Sequence, residues 1–368
     1  MPTDMLCQSR ACKVFLELVS CGITDSRPRE EYFSQLTADE WESIYTLARR
    51  QTVCGICYKA FCRLPDRLLP PDGLLQRWVA RVSAIESFNH AMGVAVTELI
   101  GLLRAEGLRP VVQKGLSVAR FYSSPDLREC GDIDLWLRKD EFRRAVDTVR
   151  IVASDLKSHP DGSISFVFRG FIIELHRRLI NISNPFTARK IEKYSISRCD
   201  RNVNFGSGIP SPTPLLELLL ITVHIMRHVF GTGVGLRHVC DYVSASYALS
   251  GLYDPIEFKQ ACSMLGISRW VALLNDFSTE YLQADPTLLP PSGLKRPGAI
   301  SPSRLMKIIM EGGNFGHHPV NAGLSALPRR RGKFHTMRMI LRRSRFAAAI
   351  APREACWNFI NLIIGQVH

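Results

Sequence analysis

The stretch Asp132-Ile-Asp-Leu-Trp-Leu137 alternates acids with large apolar residues, and that alternation decides how the chain is read. Successive side chains of a strand point to opposite faces. Asp132 and Asp134 therefore project together while Ile133 and Leu135 pack on the other side. Upstream, Arg109-Pro-Val-Val-Gln113 is a short extended run, Lys114-Gly115 a turn, and Leu116 to Tyr122 a helix. Downstream, Lys139 to about Ala153 is expected to be helical. Ser163-Ile-Ser-Phe-Val-Phe168 and Phe171-Ile-Ile-Glu-Leu-His176 follow as two alternating runs joined by Arg169-Gly170, which is the pattern of a hairpin with a two-residue turn.

Outside this block the apolar period changes from two to that of a helix. Trp41, Ile44, Tyr45 and Ala48 mark one helix, opened by Thr37-Ala-Asp-Glu40 as a capping box. The spacing from Trp78 through Leu103 marks another, after the Pro-rich linker at 64–73. Helices are again expected beyond Phe186, over Pro214–Arg227, Val239–Leu249, Glu257–Leu265 and Val271–Leu282. The fold class is α+β, a small mixed sheet within residues 108–185. An N-terminal helical region (1–107) precedes it, and a helical domain (186–290) and a basic C-terminal helical region (291–368) follow.

With 368 residues, 46% hydrophobic and 22% charged, the composition is that of a globular chain, which excludes disordered and fibrous classes. The most apolar stretch, Leu215–Phe230, is interrupted by Glu217, His224, Arg227 and His228, so no transmembrane helix is expected. The start, MPTDMLCQSRACK, lacks a secretory pattern. A cytoplasmic location with mostly reduced cysteines is therefore expected. Cys54 and Cys57, three apart and with no second pair at zinc-ribbon distance, read as small apolar side chains on one helix face. The net charge is +13, and from Lys295 onward thirteen Lys and Arg face only Glu311 and Glu354, so the excess belongs to the C-terminal region. The basic and apolar mixture at 329–346 admits three readings: a solvated or protein-contacting helix face, or an anionic partner that is either a membrane surface or a nucleic acid.

Two carboxylates on one strand face suit a hard divalent cation such as Mg²⁺, which prefers oxygen ligands and bridges to phosphates. An isolated Asp-x-Asp is more often a solvated strand edge. Here it keeps company with the Lys114-Gly115 turn and with a third acid, Glu174, inside a following strand. The segments Val111-Val-Gln-Lys-Gly-Leu-Ser-Val-Ala-Arg120, Leu127-Arg-Glu-Cys-Gly-Asp-Ile-Asp-Leu-Trp-Leu137 and Ile173-Glu-Leu-His176 resemble the uncharacterised nucleotidyltransferase family of the DNA polymerase β-type superfamily. The resemblance extends to Trp41 and Ala48, to His224-x-x-Arg-His228 with Gly235-Leu-Arg-His-Val-Cys-Asp241, and to Gly312-Gly-Asn-Phe-Gly316.

The resemblance implies a metal-dependent enzyme that moves a nucleoside monophosphate from a nucleoside triphosphate to an unidentified acceptor, releasing pyrophosphate. Asp132, Asp134 and Glu174 would be catalytic and would bind Mg²⁺ or Mn²⁺. Lys114, Gly115, Ser117, Arg128 and His176 would contact the nucleotide or its phosphates. The superfamily's usual Gly-Ser or Gly-Gly turn is replaced by Gly115-Leu116, with Ser117 one residue later. That leaves two alternatives: a catalytically inactive accessory protein of the same fold, or a toxin-like nucleotidyltransferase acting on RNA or protein. His224 and His228 are one helical turn apart, a spacing that can bind metal. Because Ile225 stands where a zinc-protease motif has glutamate, structural hydrogen bonding between regions is expected instead. Arg237 and Asp241 are expected to pair across a turn and fix their helix against the sheet, and Asn314 reads as a turn residue.

Overall fold

The computed structural model describes residues 9–159, 161–199, 209–231, 233–296, 298, 300–312 and 343–363. Its one sheet has five strands: β1 (Val111–Gln113), β2 (Ile133–Trp136), β3 (Ser154–Ser158), β4 (Ile164–Phe168) and β5 (Phe171–His176). Their order is β1-β2-β5-β4-β3, with β2 and β5 parallel and every other neighbouring pair antiparallel. The fold is α+β, as the change of period indicates.

The β4–β5 hairpin closes through Arg169 and Gly170 at φ +52° and +86°. Left-handed backbone at both central positions is the condition for a two-residue turn that matches strand twist. Helix α6 (Lys139–Val149) crosses from β2 towards β3. It ends four residues before the expected Ala153, a turn follows, and β3 begins at Ser154. The sequence gives no sign of β3 because Ser154-Asp-Leu-Lys-Ser158 lies at the sheet edge, with only Leu156 withdrawn from solvent. A strand with neither face buried carries no apolar alternation to read.

Alternation elsewhere in the sheet is carried through into packing. Val112, Ile133, Leu135, Ile173 and Leu175 enter one buried cluster with Phe142, Ala145 and Val149 of α6 and with Met92 to Leu103 of the long helix α4 (Asp72–Ala105). The first half of α4, through Leu74, Trp78, Val82 and Ile85, enters a second and larger cluster. One 34-residue helix thus ties two cores together. The larger core joins α1 (Arg10–Thr24), α2 (Ala38–Arg50) and α3 (Cys54–Phe61) to α8 (Pro214–Phe230), α9 (Leu236–Leu249), α10 (Pro255–Leu265), α11 (Ser268–Leu282) and α12 (Pro302–Gly312). Between the sheet and α8 lies α7 (Pro185–Arg198), and the last described helix is α13 (Pro352–Ile363).

The capping box at Thr37 is present on both sides, with Glu40 N donating to the Thr37 hydroxyl and Thr37 N to the Glu40 carboxylate at 2.9 Å. Cys54 and Cys57 are buried in α3, and burial pushes the Cys57 thiol well above its usual range. Among the described residues no helix is long and apolar enough to cross a membrane. Most of the basic stretch 329–346, and Asn314, lie outside the described residues. Arg343 lies within them and donates to the carbonyls of Val229 and Gly231 at the C-terminal end of α8. A cation is favoured there by the partial negative charge of the helix end.

Candidate active site

The strand face opposite the small core carries the chemistry. Parallel pairing sets Asp134 of β2 beside Glu174 of β5 and Trp136 beside His176, while antiparallel pairing sets Gln113 of β1 on the other side of Asp134. Parity alone then puts Asp134, Glu174 and His176 on one face, and Asp132, one residue ahead of β2, shares it. All four line a cavity of about 870 Å³, with Lys114, Gly115 and Arg128 also on its wall.

Asp134 is the electrostatic hub. Its Oδ1 accepts from Lys114 Nζ at 2.7 Å and lies 2.5 Å from His176 Nε2, which is also 3.4 Å from Glu174 Oε2. Burial alone would raise its pKa, but Lys114 and His176 outweigh burial and hold the carboxyl well below the usual carboxylate range. Asp132 makes no such bond among the described residues, and the charges of Lys114 and Arg237 only partly offset its surroundings. Burial, followed by the charge of Asp134, pushes it up to about 6. For His176, burial and the Lys114 charge oppose protonation. The bonds to Asp134 and Glu174 prevail and shift it upward. One ligand atom from each of Asp134, Glu174 and His176 lies within 4.8 Å of the others, a group able to hold a metal ion. Asp132 stands outside that group and reaches it through its charge.

Lys114 occupies the turn between β1 and the short helix α5 (Gly115–Ala119) at φ +56° and ψ −133°. A side chain held in that region costs on the order of 1–3 kcal/mol, and such strain persists only where the surroundings enforce it. In that turn the Lys114 ammonium is bonded to Asp134. Gly115 needs no positive φ. A Cβ there would meet Asp132 O at 3.4 Å, so its bareness keeps the approach to the first aspartate clear.

Two residues expected to touch phosphate are engaged elsewhere. Ser117 is 1% exposed, and its hydroxyl donates to Glu217 Oε2 of α8 at 3.0 Å, away from the cavity wall. Arg128 lines the cavity but is 4% exposed. Its guanidinium forms a two-pronged pair with Asp241 of α9 at 2.6 and 3.0 Å, where Tyr122 also donates. Asp241 therefore takes its cation from the loop before β2, across elements, and Arg237 one turn earlier donates to Glu129 O. Arg237 feels the charge of Asp241, and α9 is bonded to the loop before β2 through Arg128–Asp241 and through Arg237 to Glu129 O. The same loop is held by Asn89 of α4, which donates to Asp126 O and Arg128 O. Glu129 accepts from Cys54 N and Arg81. Each bond fixes the approach to Asp132.

Sequence reading missed the far wall of the cavity, which includes Arg178, Arg189 and Arg227, with Glu354 and Trp357 of α13. It also missed His238 of α9, which joins His224 and His228 of α8. His224 and His228 meet each other, Nε2 to Nε2 at 3.1 Å, and both rings lie against His238 of the neighbouring helix. Burial, first of all, drives all three histidines well below the usual histidine range.

Residues 37–282 match the profile of a family described as uncharacterised nucleotidyltransferase, a span containing the whole sheet, α5 and the histidines, and ending before Gly312–Gly316. No curated protein and no solved structure matches the chain.

Proposed function

The chain belongs to the uncharacterised nucleotidyltransferase family, and from that premise we propose that it transfers a nucleotidyl group from a nucleoside triphosphate to an acceptor hydroxyl or other oxygen nucleophile, with a divalent cation held by Asp132, Asp134 and Glu174. The observation that carries this reading is the register of β2 on β5, which sets Asp134 beside Glu174 with Asp132 two residues ahead, all facing one cavity. The residues fit Mg²⁺ or Mn²⁺, since Asp134 and Glu174 supply hard oxygen ligands close together and Asp132 a further carboxylate on the same wall. When bound, such an ion polarises the phosphoryl oxygens and neutralises charge that builds on attacking and leaving oxygens.

The chain's own residues do the rest. Lys114, half-buried at the start of α5, is placed to exchange its bond with Asp134 for a phosphate oxygen of the triphosphate. Gly115 leaves room for that phosphate beside Asp132. His176 holds Asp134 and Glu174 in mutual orientation. The acceptor oxygen attacks the α-phosphorus, the bond to the β-phosphate bridging oxygen breaks, and pyrophosphate leaves. The basic wall of Arg178, Arg189 and Arg227 suits an anionic product or acceptor.

A second reading is favoured by the Lys114–Asp134 pair itself. An ammonium that permanently neutralises the central aspartate would give a nucleotide-binding protein without catalysis. Incubating the purified chain with each nucleoside triphosphate labelled at the α-phosphate, with Mg²⁺ or Mn²⁺ and a cell extract as acceptor source, separates the two. Label transferred by the wild type and not by Asp132→Ala/Asp134→Ala supports transfer. Binding of nucleotide with no transfer under any condition supports the second reading.

A further inference from the structure

His224 and His228 stand one turn apart on α8, and the next helix, α9, packs on it and brings His238 to the same spot. The rings are close, with centroids 4.3, 5.2 and 5.7 Å apart, and one nitrogen from each lies within 4.8 Å of the others. We infer that these three histidines form a transition-metal site, of the class that binds Zn²⁺, distinct in chemistry from the carboxylate site and opening on the same cavity.

Three features support it. The first is spacing: with Zn–N bonds of about 2.0–2.1 Å, two ligand nitrogens of a tetrahedral site lie about 3.3 Å apart, and His224 Nε2 and His228 Nε2 are 3.1 Å apart. The second is orientation. His238 Nδ1 lies 3.2 Å from Gly235 O, so the proton belongs on Nδ1 and the lone pair on Nε2, the arrangement in which a backbone carbonyl steadies a metal-binding imidazole. The third is charge. Lys114, Arg227 and Arg237 stand nearby. The cavity wall as a whole carries six Asp and Glu against six Lys and Arg side chains, so it presents no net positive charge to a dication.

Nitrogen donors select against Mg²⁺, so the site does not compete for the ion expected at Asp134. Three ligands among the described residues leave a fourth position of a tetrahedral site for water or an oxygen of a molecule bound in the cavity. The inference does not depend on nucleotidyl transfer and survives if that reading fails.

The test uses the full chain, freed of metal by chelator dialysis, with Co²⁺ as the optical probe and Zn²⁺ as competitor. One equivalent of Co²⁺ is expected to bind with a visible absorption band typical of nitrogen ligation, to be displaced by Zn²⁺ and to be untouched by excess Mg²⁺. Asp134→Asn should retain the band. His228→Ala and His238→Ala should each weaken binding at least about a hundredfold with native circular dichroism, and His228→Gln serves if the alanine variant fails to fold. Absence of Co²⁺ binding tighter than about 100 µM, or binding that survives the histidine substitutions and disappears in Asp134→Asn, overturns the site.

Discussion

At Asp132 the fold and the chemistry pull in opposite directions. Burial and the neighbouring Asp134 charge raise its carboxyl to about 6, so the folded chain holds this proton more tightly than an unfolded one does. The stability this group contributes is complete below the ordinary carboxylate value near 3.8, and is lost as pH rises through about 6. Cation binding needs the ionised form, so the sign for the ligand is the reverse. Mn²⁺ affinity at the carboxylate site is expected to fall up to about tenfold per pH unit below about 6, to level off above it, and to be accompanied by release of up to one proton. Calorimetry in buffers of different ionisation enthalpy measures this, with Asp132→Asn as the variant that flattens the profile. An affinity independent of pH between about 5 and 7 would show that Asp132 is no ligand. The aspartates, Glu174 and the Lys114-Gly115 turn were all legible from residue type and parity. The partners of Arg128 and Ser117 were not, because Asp241 and Glu217 lie about a hundred residues away and nothing local marks either as the recipient.

Among the elements, α3 is the piece that positions the site without belonging to it. Gly55 lets α3 approach the loop before β2 so closely that a Cβ would collide with Leu127 O, and neither partner is the yielding end of a flexible side chain. Gly55→Ala is expected to cost on the order of 1–3 kcal/mol, read by urea denaturation, and to lower affinity for nucleotide because Asp132 moves with the loop. Gly170→Ala is its counterpart at the hairpin. No atom crowds a Cβ there, so the penalty is the backbone cost of φ +86°, about 1–2 kcal/mol, with nucleotide binding unchanged. Equal effects of the two substitutions on binding would contradict the division between a turn that only closes the sheet and a helix that aims the loop. The hairpin was readable because Arg169-Gly170 joins two alternating runs. The edge strand β3 was not, since strand identity there is imposed by pairing with β4 and not by a buried face of its own.

Across the whole molecule, the cavity is closed by pieces far apart in sequence. Glu354 of α13, 2% exposed, accepts from the backbone N–H groups of Ser183 and Asn184 at the start of α7, and Trp357 packs edge-on against Phe186. Glu354→Ala leaves two N–H groups without their acceptor, a loss of about 1–3 kcal/mol per buried group. The expected consequence is earlier proteolytic release of α13 with the remaining fold intact, followed by mass spectrometry. Unchanged protease resistance would mean that α13 is held by its apolar face alone.

The sequence by itself determined the class of fold, the strand face that carries the acids and the chemistry those acids suit, because each of these is written in periods of two or of a helical turn. Tertiary structure alone decided which strands are neighbours and therefore that Glu174 stands beside Asp134. It also decided that Arg128 is bound to Asp241 instead of being left for phosphate, and that a third histidine completes the cluster on α8 and α9. Local side-chain patterns record which face is buried. The choice of partner across forty to a hundred residues is made by how the two cores pack around α4, and no short-range pattern encodes it.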